Sequence, residues 1–366
     1  MSLNIGIIGL PNVGKSTTFN ALTKAQNAEV ASYPFCTIEP NRAIVPVPDE
    51  RLAALADRAD RGQVIHATIE FVDIAGLVQG ASRGEGLGNQ FLSQIRNVDA
   101  ILHVVRCFED ENVAHVSGRL DPQDDIETIR TELALADLEQ LERLIERLTS
   151  QVKGDTSLRP RLELARALRD HIGGDQPFST FPERDSPEFV AMDRELHFLS
   201  TKPVIYLANV DEAGLTAGNP CTAAVAELAD VEGAEVVALC AELESELIDL
   251  SDAERAEMLA LVGLEESGLA KVIRESYGQL GLISFFTMNE QEVRAWTIPA
   301  GTKAPQAAGR IHTDFERGFI RAEVIDYAEF LRQGSLASAR SAGELRSEGK
   351  DYIVLDGDLI LFRFNV

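Results

Sequence analysis

The chain has 366 residues, of which 45% are hydrophobic and 25% charged, a composition typical of a globular protein with two or three domains. No apolar run approaches the ~20 residues of a membrane span, and the four cysteines form no C-x-x-C pair. We therefore expect a protein of the reducing cytoplasm without a membrane partner, a disulfide framework or a zinc site. The formal net charge of −25 argues against broad binding to nucleic acid, which depends on neutralising phosphates, and no sequence-specific DNA partner is expected.

The first predicted strand, residues 3–8, leads into Gly9-Leu10-Pro11-Asn12-Val13-Gly14-Lys15-Ser16 and then into a helical pattern. This is the G-x-x-x-x-G-K-[ST] phosphate-binding loop in its expected context. Glycines let the loop curl so that its N–H groups point at a triphosphate, and the helix places its positive end on the same anion. We predict that Lys15 contacts the outer phosphates and that Ser16 holds Mg²⁺, and Asn12 is a candidate ligand for K⁺.

Two further segments are predicted to complete the phosphate and metal site. The strand of residues 66–72 is followed by Asp73-Ile74-Ala75-Gly76, where Asp73 can hold Mg²⁺ and the amide of Gly76 can contact the terminal phosphate. A proline-bounded loop ahead of it carries Thr37, which is placed to complete the Mg²⁺ shell, and leads into a strand of residues 38–46. The predicted metal ligands are therefore Ser16, Thr37 and Asp73.

The alternation of strands and helices is interrupted after a strand predicted at residues 99–106. Residues 124–150 form a long helical pattern, with apolar residues at steps of three and four and an opposite face rich in Glu and Arg. A second helix follows after a short polar turn, so the pair predicts an antiparallel helical hairpin. Strands predicted at 202–208 and 235–240 then resume a mostly parallel, doubly wound α/β sheet. The hairpin serves either as a structural spacer or as an arm that binds a partner.

The fifth predicted strand ends in Asn209-Val210-Asp211-Glu212, where guanine-specific relatives carry Asn-Lys-x-Asp. Val210 takes the place of the Lys and Glu212 that of the Asp, and Glu is one methylene longer. Mismatched hydrogen bonding at a buried polar site discriminates strongly, so we favour adenine over guanine. A one-residue change of register would restore an Asp through Asp211. The segment Cys240-Ala241 stands where a second base-contacting loop would lie, and it also departs from the guanine pattern.

The group that orients the attacking water is harder to assign. Leu77 follows the second motif at the place where many GTPases carry a Gln, and a Leu side chain cannot orient water. His115 is a candidate for this role, with a packing or surface histidine as the alternative. We expect slow intrinsic hydrolysis or a group supplied from elsewhere. The catalytic candidates are Lys15, Gly76 and His115.

A third unit begins near Ile283, where short strand patterns alternate with Gly-rich turns. Residues 283–366 carry 10 basic and 12 acidic residues, against 34 and 59 in the whole chain, so this nearly neutral part is the better candidate for any contact with RNA. A connecting loop is predicted at Leu345–Lys350. The predicted strands are Ser284–Thr287, Ala295–Ile298, Gly309–Ile311, Phe319–Val324 and Leu359–Phe364.

Several long motifs together resemble the Obg family. They are the phosphate loop, Leu77, the glycine-rich segment 80–92, the Asn209–Glu212 variant, and Ala295–Ile298 followed by Gly301–Phe315. The Asn209–Glu212 variant is similar to the YchF subfamily, the Obg-like ATPases, and the last stretch is similar to the TGS domain, a ubiquitin-like β-grasp module. We accordingly expect a P-loop nucleotide domain at 1–123 and 199–282, a helical coiled-coil insertion at 124–198 and a TGS domain at 283–366.

The resemblance also implies an activity and partners. It implies an ATP-hydrolysing protein, with GTP bound more weakly, that associates with the ribosome or ribosomal RNA through the TGS domain and the helical arm. It carries Mg²⁺ binding over to Ser16, Thr37 and Asp73. Nucleotide contacts carry over to Asn12, Val13, Gly14, Lys15, Ser16, Thr17, Asn209 and Glu212, and Val210, Cys240 and Ala241 are further candidates on the base side.

Two alternatives to an ATPase switch stay open from the sequence. The first is a GTPase with an atypical guanine site. The second is a nucleotide-sensing module that binds the ribosome and in which hydrolysis is incidental, a role that Leu77 would suit.

Overall fold

The computed structural model describes residues 3–29, 41–60, 62–74, 87–110, 119–174 and 176–365. Its contacts divide the chain into two compact units. Of the described residues, unit 1 takes those within Met1–Ala25, Ile38–Ala43 and Glu70–Val272, and unit 2 takes those within Gln26–Thr37, Ile44–Ile69 and Ile273–Val366.

The described secondary structure alternates strands and helices along most of the chain. The strands are β1 (Asn4–Ile8), β2 (Arg42–Pro46), β3 (Gln63–Ile65), β4 (Thr68–Asp73), β5 (Ala100–Arg106), β6 (Val204–Asn209), β7 (Glu235–Leu239), β8 (Leu282–Met288), β9 (Glu292–Pro299), β10 (Phe319–Asp326), β11 (Arg346–Glu348) and β12 (Asp358–Phe364). The helices are α1 (Lys15–Glu29), α2 (Glu50–Ala59), α3 (Leu87–Arg96), α4 (Pro122–Gln151), α5 (Arg159–Gly173), α6 (Pro187–Leu196), α7 (Glu212–Ala217), α8 (Pro220–Glu232), α9 (Ala241–Leu247), α10 (Asp252–Leu261), α11 (Gly268–Gln279), α12 (Ala304–Ile311), α13 (Thr313–Arg317), α14 (Tyr327–Gln333) and α15 (Leu336–Ala342).

The first sheet has the strand order β2-β4-β1-β5-β6-β7, and the pairings from β4 to β7 are parallel. β5 is buried along its whole length, as expected for a strand covered on both faces. His103 lies in this strand, and burial lowers its pKa to about 3. Because parallel strands all end at one edge, the loops that follow β1, β4, β6 and β7 come together there.

Helices α4 and α5 form the predicted helical hairpin, which we call the arm. α4 has 30 residues and is about 45 Å long. It begins after Asp121, whose carboxylate accepts a hydrogen bond from the N–H of Asp124, and Pro122 suits the first turn. The arm and α6 share one apolar cluster, which consists of Leu141, Leu144, Ile145, Leu148, Leu162, Leu164, Ala165, Leu168, Ile172, Phe181, Phe189, Met192 and Phe198.

Unit 2 contains a second six-stranded sheet in the order β11-β10-β12-β8-β9-β3. The pairs β10–β11, β10–β12 and β8–β9 are antiparallel, whereas β12–β8 and β3–β9 are parallel. Helix α12 packs on this sheet. The core that they form contains Phe285, Ile298, Ala304, Ala307, Ala308, Phe319, Ala322, Val324, Val354 and Ile360.

Two sequence predictions for the C-terminal part are wrong. Gly309–Ile311, predicted as a strand, is the last turn of α12, because three alanines bury one face of this helix and Pro305 suits its first turn. The segment 345–350, predicted as a loop, contains β11. In each case the stretch is too short for its apolar period to identify the element.

The strand β3 has no counterpart among the predicted elements. It pairs in parallel with β9, which lies more than two hundred residues further along the chain. Through this pairing, residues 44–69 belong to unit 2, although the nucleotide domain expected from the sequence runs over 1–123. A three-residue strand has no readable period, so its partner is set by tertiary packing.

The predicted α/β class, with a mostly parallel sheet interrupted by a helical hairpin, is confirmed. Among the described residues, none of the helices combines the length and the apolar composition that a membrane span requires.

A buried carboxylate fixes α4 to the loop before β6. Asp137 is fully buried and accepts hydrogen bonds from Leu199 N at 2.9 Å and from Ser200 N and Oγ at 2.8 and 2.7 Å. Burial raises the pKa of Asp137, while these donors and the charge of Arg96 oppose that shift. The groups around the side chain are all donors, so both of its oxygens must be hydrogen-bond acceptors.

We expect Asp137→Asn to destabilise the protein by about 2–4 kcal/mol, because its NH₂ group would face backbone donors and leave buried groups unpaired. Thermal and urea unfolding, followed by far-ultraviolet circular dichroism, measures this change. Glu142→Gln makes the same carboxylate-to-amide change at an exposed position of α4 and should stay within about 0.5 kcal/mol of the unchanged protein. Equal stability of the two variants would contradict the role given to Asp137.

Candidate functional site

The loop between β1 and α1 is shaped by its glycines. Gly14 has a φ of 95°, which L side chains rarely adopt, and a Cβ there would lie 2.1 Å from Nδ2 of Asn209. A Cβ on Gly9 would lie 2.7 Å from the carbonyl oxygen of Val104 in β5. The loop therefore approaches β5 and β6 more closely than a side chain at either position would allow.

The start of α1 presents most of the side chains predicted to bind phosphate. Asn12, Ser16 and Thr17 are exposed, whereas Val13 is buried beneath them. Asn12 has a φ of 65°, a left-handed conformation that turns the loop towards the helix. No acidic residue lies in the first turn of α1, so the helix itself presents no carboxylate to an anion at its positive end.

Lys15 and Asp73 form an ion pair between Nζ and Oδ1. Lys15 begins α1, and Asp73 ends β4, the strand that pairs in parallel with β1. The two side chains are only 13% and 20% exposed, so their charges interact in a partly desolvated place. The groups predicted to act on phosphate and on Mg²⁺ therefore lie side by side.

The oxygen donors around this pair fit Mg²⁺. This ion prefers carboxylate and hydroxyl oxygens, keeps several waters, and needs only one or two protein carboxylates beside phosphate oxygens. Asp73 offers a carboxylate and Ser16 an exposed hydroxyl. Within the described ranges, no group of three or more His, Cys, Asp or Glu residues is arranged to hold a metal ion.

Asn209 connects the phosphate loop to the loop after β7. Its Nδ2 donates to the carbonyl oxygen of Val13 at 2.9 Å, and its Oδ1 accepts from the N–H of Ala241 at 3.1 Å. The residue is buried at the end of β6. The sequence predicts a base contact for Asn209, which stays a prediction; in the structure both ends of its carboxamide hold the two loops together.

The two carboxylates that follow β6 have different surroundings. Oδ1 of Asp211 accepts from the N–H of Gly214 at 2.8 Å and caps α7. Glu212 begins α7, is exposed, and lies close enough to Cys240 for its charge to act on that thiol. Of the two, Glu212 is therefore the carboxylate that a ligand can reach without uncapping a helix.

The remaining base-side candidates line the loops that follow β6 and β7. Burial raises the pKa of the Cys240 thiol, and the charges of Glu212 and Glu242 raise it further, so this thiol is neutral at physiological pH. Val210 is buried and packs with apolar residues of β6 and α8. Since Ala241 is bonded to Asn209, the two loops meet at this edge of the sheet.

Arg106 is a residue of the site region that the sequence analysis does not identify. It ends β5 and is 4% exposed. Its Nε and Nη2 donate to the carbonyl oxygens of Phe108 and Asp110 at 3.1 and 3.3 Å, and its guanidinium lies 4.7 Å from the centre of the Phe108 ring. Arg106 therefore positions residues 108–110 at the site edge of the sheet. The sequence feature that could have identified Arg106 is an arginine at the end of an otherwise apolar strand.

Three predicted site residues, Thr37, Gly76 and His115, lie outside the described residues. The same is true of Leu77. Their roles stay predictions.

Two family models match the chain. The MMR_HSR1 model, described as a 50S ribosome-binding GTPase, matches residues 4–145. The C-terminal model of the YchF GTPases, described as a protein of unknown function, matches residues 282–365.

Full-length relatives are similar to the chain throughout. The ribosome-binding ATPase YchF of Bacillus subtilis is 50% identical over 369 residues, and the protein of the same name from Escherichia coli O157:H7 is 52% identical over 367 residues, with 100% of both chains covered in each comparison. Obg-like ATPase 1 of Pongo abelii is 44% identical over 370 residues, which cover 100% of this chain and 93% of the relative. The structure of the Schizosaccharomyces pombe YchF GTPase is similar with a TM-score of 0.89 at 36% identity, covering 99% of this chain and 98% of that chain. With half of its residues shared over its full length and a fold in common, the chain belongs to the YchF subfamily of the Obg family.

Proposed function

We propose that this chain binds and hydrolyses ATP with Mg²⁺ and associates with ribosomes as a nucleotide-dependent switch in translation or its regulation. The contact between Lys15 and Asp73 carries the proposal, because the ammonium predicted to bind phosphate lies beside a carboxylate suited to Mg²⁺. The relatives that are named ribosome-binding ATPases support the same activity.

On the phosphate side, the residues of the chain act through charge and position. The backbone amides of residues 12–17 donate to phosphate oxygens at the positive end of α1, and Lys15 offsets charge on the outer phosphates. Ser16 and Asp73 would hold Mg²⁺, together with Thr37 as predicted from the sequence. Bound there, Mg²⁺ would supply positive charge to offset the negative charge that develops on phosphate oxygens during attack by water.

The Lys15–Asp73 pair makes nucleotide binding an exchange of partners. Each charge is satisfied by the other in the structure. Binding of nucleotide with Mg²⁺ gives the ammonium a phosphate partner and the carboxylate a metal partner. Neither charge is left buried and unpaired during this exchange. An unpaired buried charge would oppose binding strongly.

On the base side, the arrangement of carboxylates favours adenine. In guanine-specific sites, an Asp at this strand end accepts from two N–H donors, and Asp211 would have to leave the N-cap of α7 to do so. Glu212 is exposed and can accept a single hydrogen bond from the amino group of adenine. The use of Asp211 as a cap therefore supports the reading of Glu212 as the base-side carboxylate and of ATP as the preferred nucleotide.

We further propose how the ribosome is contacted. The nearly neutral residues 283–366, which we assign as a TGS domain, and the arm formed by α4 and α5 are the two surfaces for this contact. The ribosome offers both RNA and protein, and a region of low net charge is repelled least by RNA.

A GTPase with an atypical guanine site is the second candidate. The Schizosaccharomyces pombe relative is titled a YchF GTPase, and the matching family model is described as a GTPase. This candidate requires that Asp211 or Glu212 accept from guanine, so it predicts a different effect of substitution at these two residues.

We expect Lys15→Ala to lower the rate of ATP hydrolysis about a hundredfold or more, because it removes the ammonium that stabilises charge on the outer phosphates. Single-turnover hydrolysis of ATP with Mg²⁺ measures the change. Lys24→Ala is the matched control, since Lys24 lies on the same helix but bonds to Asp249 at 3.0 Å. Full activity in Lys15→Ala would remove this site from the proposal. Ribosome binding that persists in the inactive variant would favour a nucleotide-sensing module.

We expect Glu212→Gln to reduce the preference for ATP over GTP by about tenfold, because the amide replaces one charged acceptor with a neutral one and adds a donor. Asp211→Asn should leave the preference unchanged, since Asn caps helices as well as Asp does. The dissociation constants of both nucleotides, measured by titration calorimetry on nucleotide-free protein with Mg²⁺, give the comparison. Tighter binding of GTP in the unchanged protein, lost in Asp211→Asn, would establish the GTPase candidate instead.

A further inference from the structure

Unit 1 contains an open pocket lined by arginines, formed by residues outside the nucleotide site. Its volume is about 480 Å³, and its lining residues are Arg96, Gln140, Arg143, Leu144, Arg147 and Leu196. These six residues include three guanidinium groups, no carboxylate and no aromatic ring, in a chain whose net charge is −25. We call this the arm pocket.

Three helices build the arm pocket. Gln140, Arg143, Leu144 and Arg147 follow the spacing i, i+3, i+4, i+7, so they share one face of α4. Arg96 ends α3 and Leu196 ends α6. The pocket therefore lies where the arm meets the helices around the first sheet.

Arg96 is held in place by acceptors on α4 and α6. Its Nη1 donates to Oε1 of Gln140 at 2.6 Å and to the carbonyl oxygen of His197 at 3.0 Å, and Gln140 donates to the carbonyl oxygen of Leu196 at 2.8 Å. In the described part of the chain, no acceptor is bonded to Nε or Nη2 of Arg96. These hydrogen bonds through Nη1 therefore fix the orientation of the guanidinium at the pocket.

Arg143 and Arg147 are more exposed, at 67% and 55%, and their ion pairs are long. Arg143 lies 3.5 Å from Glu139, and Arg147 lies 3.5 Å from Glu195, which Arg161 holds more closely at 2.5 Å. Long ion pairs between exposed groups contribute little, so both guanidiniums can turn to another anion. Two arginines four residues apart on a helix repel each other, and a bound anion relieves that repulsion.

We propose that the arm pocket binds backbone phosphates of RNA, and that it is a contact of the arm with the ribosome. The second part rests on the function proposed above. A guanidinium presents a planar fork of donors that matches phosphate oxygens, and all three cations of the pocket are arginines. The six lining residues offer no ring on which a base could stack, so the contact reads the backbone and not the sequence.

The acidic surface elsewhere does not prevent this contact. At physiological ionic strength, exposed charges more than about 8 Å apart are largely screened from each other. A phosphate in the pocket therefore interacts mainly with the three guanidiniums and weakly with distant carboxylates. Glu139 and Glu195, the acids that pair with Arg143 and Arg147, each already face an arginine.

The test compares two double variants of the full-length chain. Arg143→Ala with Arg147→Ala removes the two exposed guanidinium groups of the arm pocket. Arg159→Ala with Arg166→Ala removes the same charge from exposed positions of α5 that do not line it. The probes are a labelled RNA duplex, followed by fluorescence anisotropy, and purified ribosomes, followed by co-sedimentation, each over a range of salt concentrations. Thermal unfolding verifies that both variants keep their fold.

Each phosphate contact that is lost lowers the slope of log K against log salt by about one. For the pocket variant we expect a slope shallower by about two, so that a fourfold rise in salt weakens the unchanged protein about tenfold more than the variant. The α5 variant should keep the original slope with both probes.

Each of the other outcomes would overturn one or more parts of the proposal. Equal slopes for both double variants, with ribosome binding intact, would overturn the arm pocket and leave the proposed function standing. Pocket-dependent binding of the RNA duplex without ribosome binding would overturn the ribosome contact alone. Loss of ribosome binding with unchanged duplex binding would indicate an acidic protein as the partner and overturn the RNA assignment. Binding of neither probe by the unchanged protein would overturn both.

Discussion

The carboxamide of Asn209 is the interaction on which the candidate site depends. One of its groups holds the phosphate loop at Val13, and the other holds the base-side loop at Ala241. A single buried side chain therefore links these two loops. A nucleotide has to reach both loops at once, so the spacing between them must match its length. The close approach of Asn209 also explains why Gly14 has no side chain, since a Cβ there would lie 2.1 Å from the amide nitrogen.

β6 links this site to the arm. The hydroxyl of Tyr206 in β6 donates to Glu232 at 2.6 Å, and Glu232 pairs with Arg130 of α4 at 2.9 Å. Three residues after Tyr206, the same strand ends in Asn209. Asp137 holds a later turn of α4 to the loop that leads into β6. The arm is thus linked to the middle of β6, through Glu232 of α8, and to the loop that precedes this strand, through Asp137. These contacts connect α4 to the strand that ends in Asn209.

The sequence was a good guide wherever one local pattern decides the structure. The phosphate loop, the parallel strands and the long helix α4 follow from spacing, apolar period and capping, and all are present. It was a poor guide where a distant partner decides. The pairing of β3 with β9, the linking role of Asn209 and the contact of Arg106 with residues 108–110 depend on what the fold brings together. The N-cap role of Asp211 also distinguishes it from Glu212 as a candidate for contact with the base, a distinction that composition and spacing could not make.

The strong negative charge of the chain bears on how it can recognise RNA. A uniformly basic surface binds any polyphosphate, because every orientation brings cations near the phosphates. A chain of net charge −25 repels most orientations, and only those that place phosphates within about one Debye length of a guanidinium cluster are favoured. The acidic surface then contributes to selectivity, because it disfavours wrong docking geometries more than it weakens the right one. The net negative charge of the chain is therefore compatible with a phosphate contact at the arginines of the arm. In the proposed contact, the acids restrict where an RNA can dock on the arm, and Arg96, Arg143 and Arg147 provide the place for its phosphates.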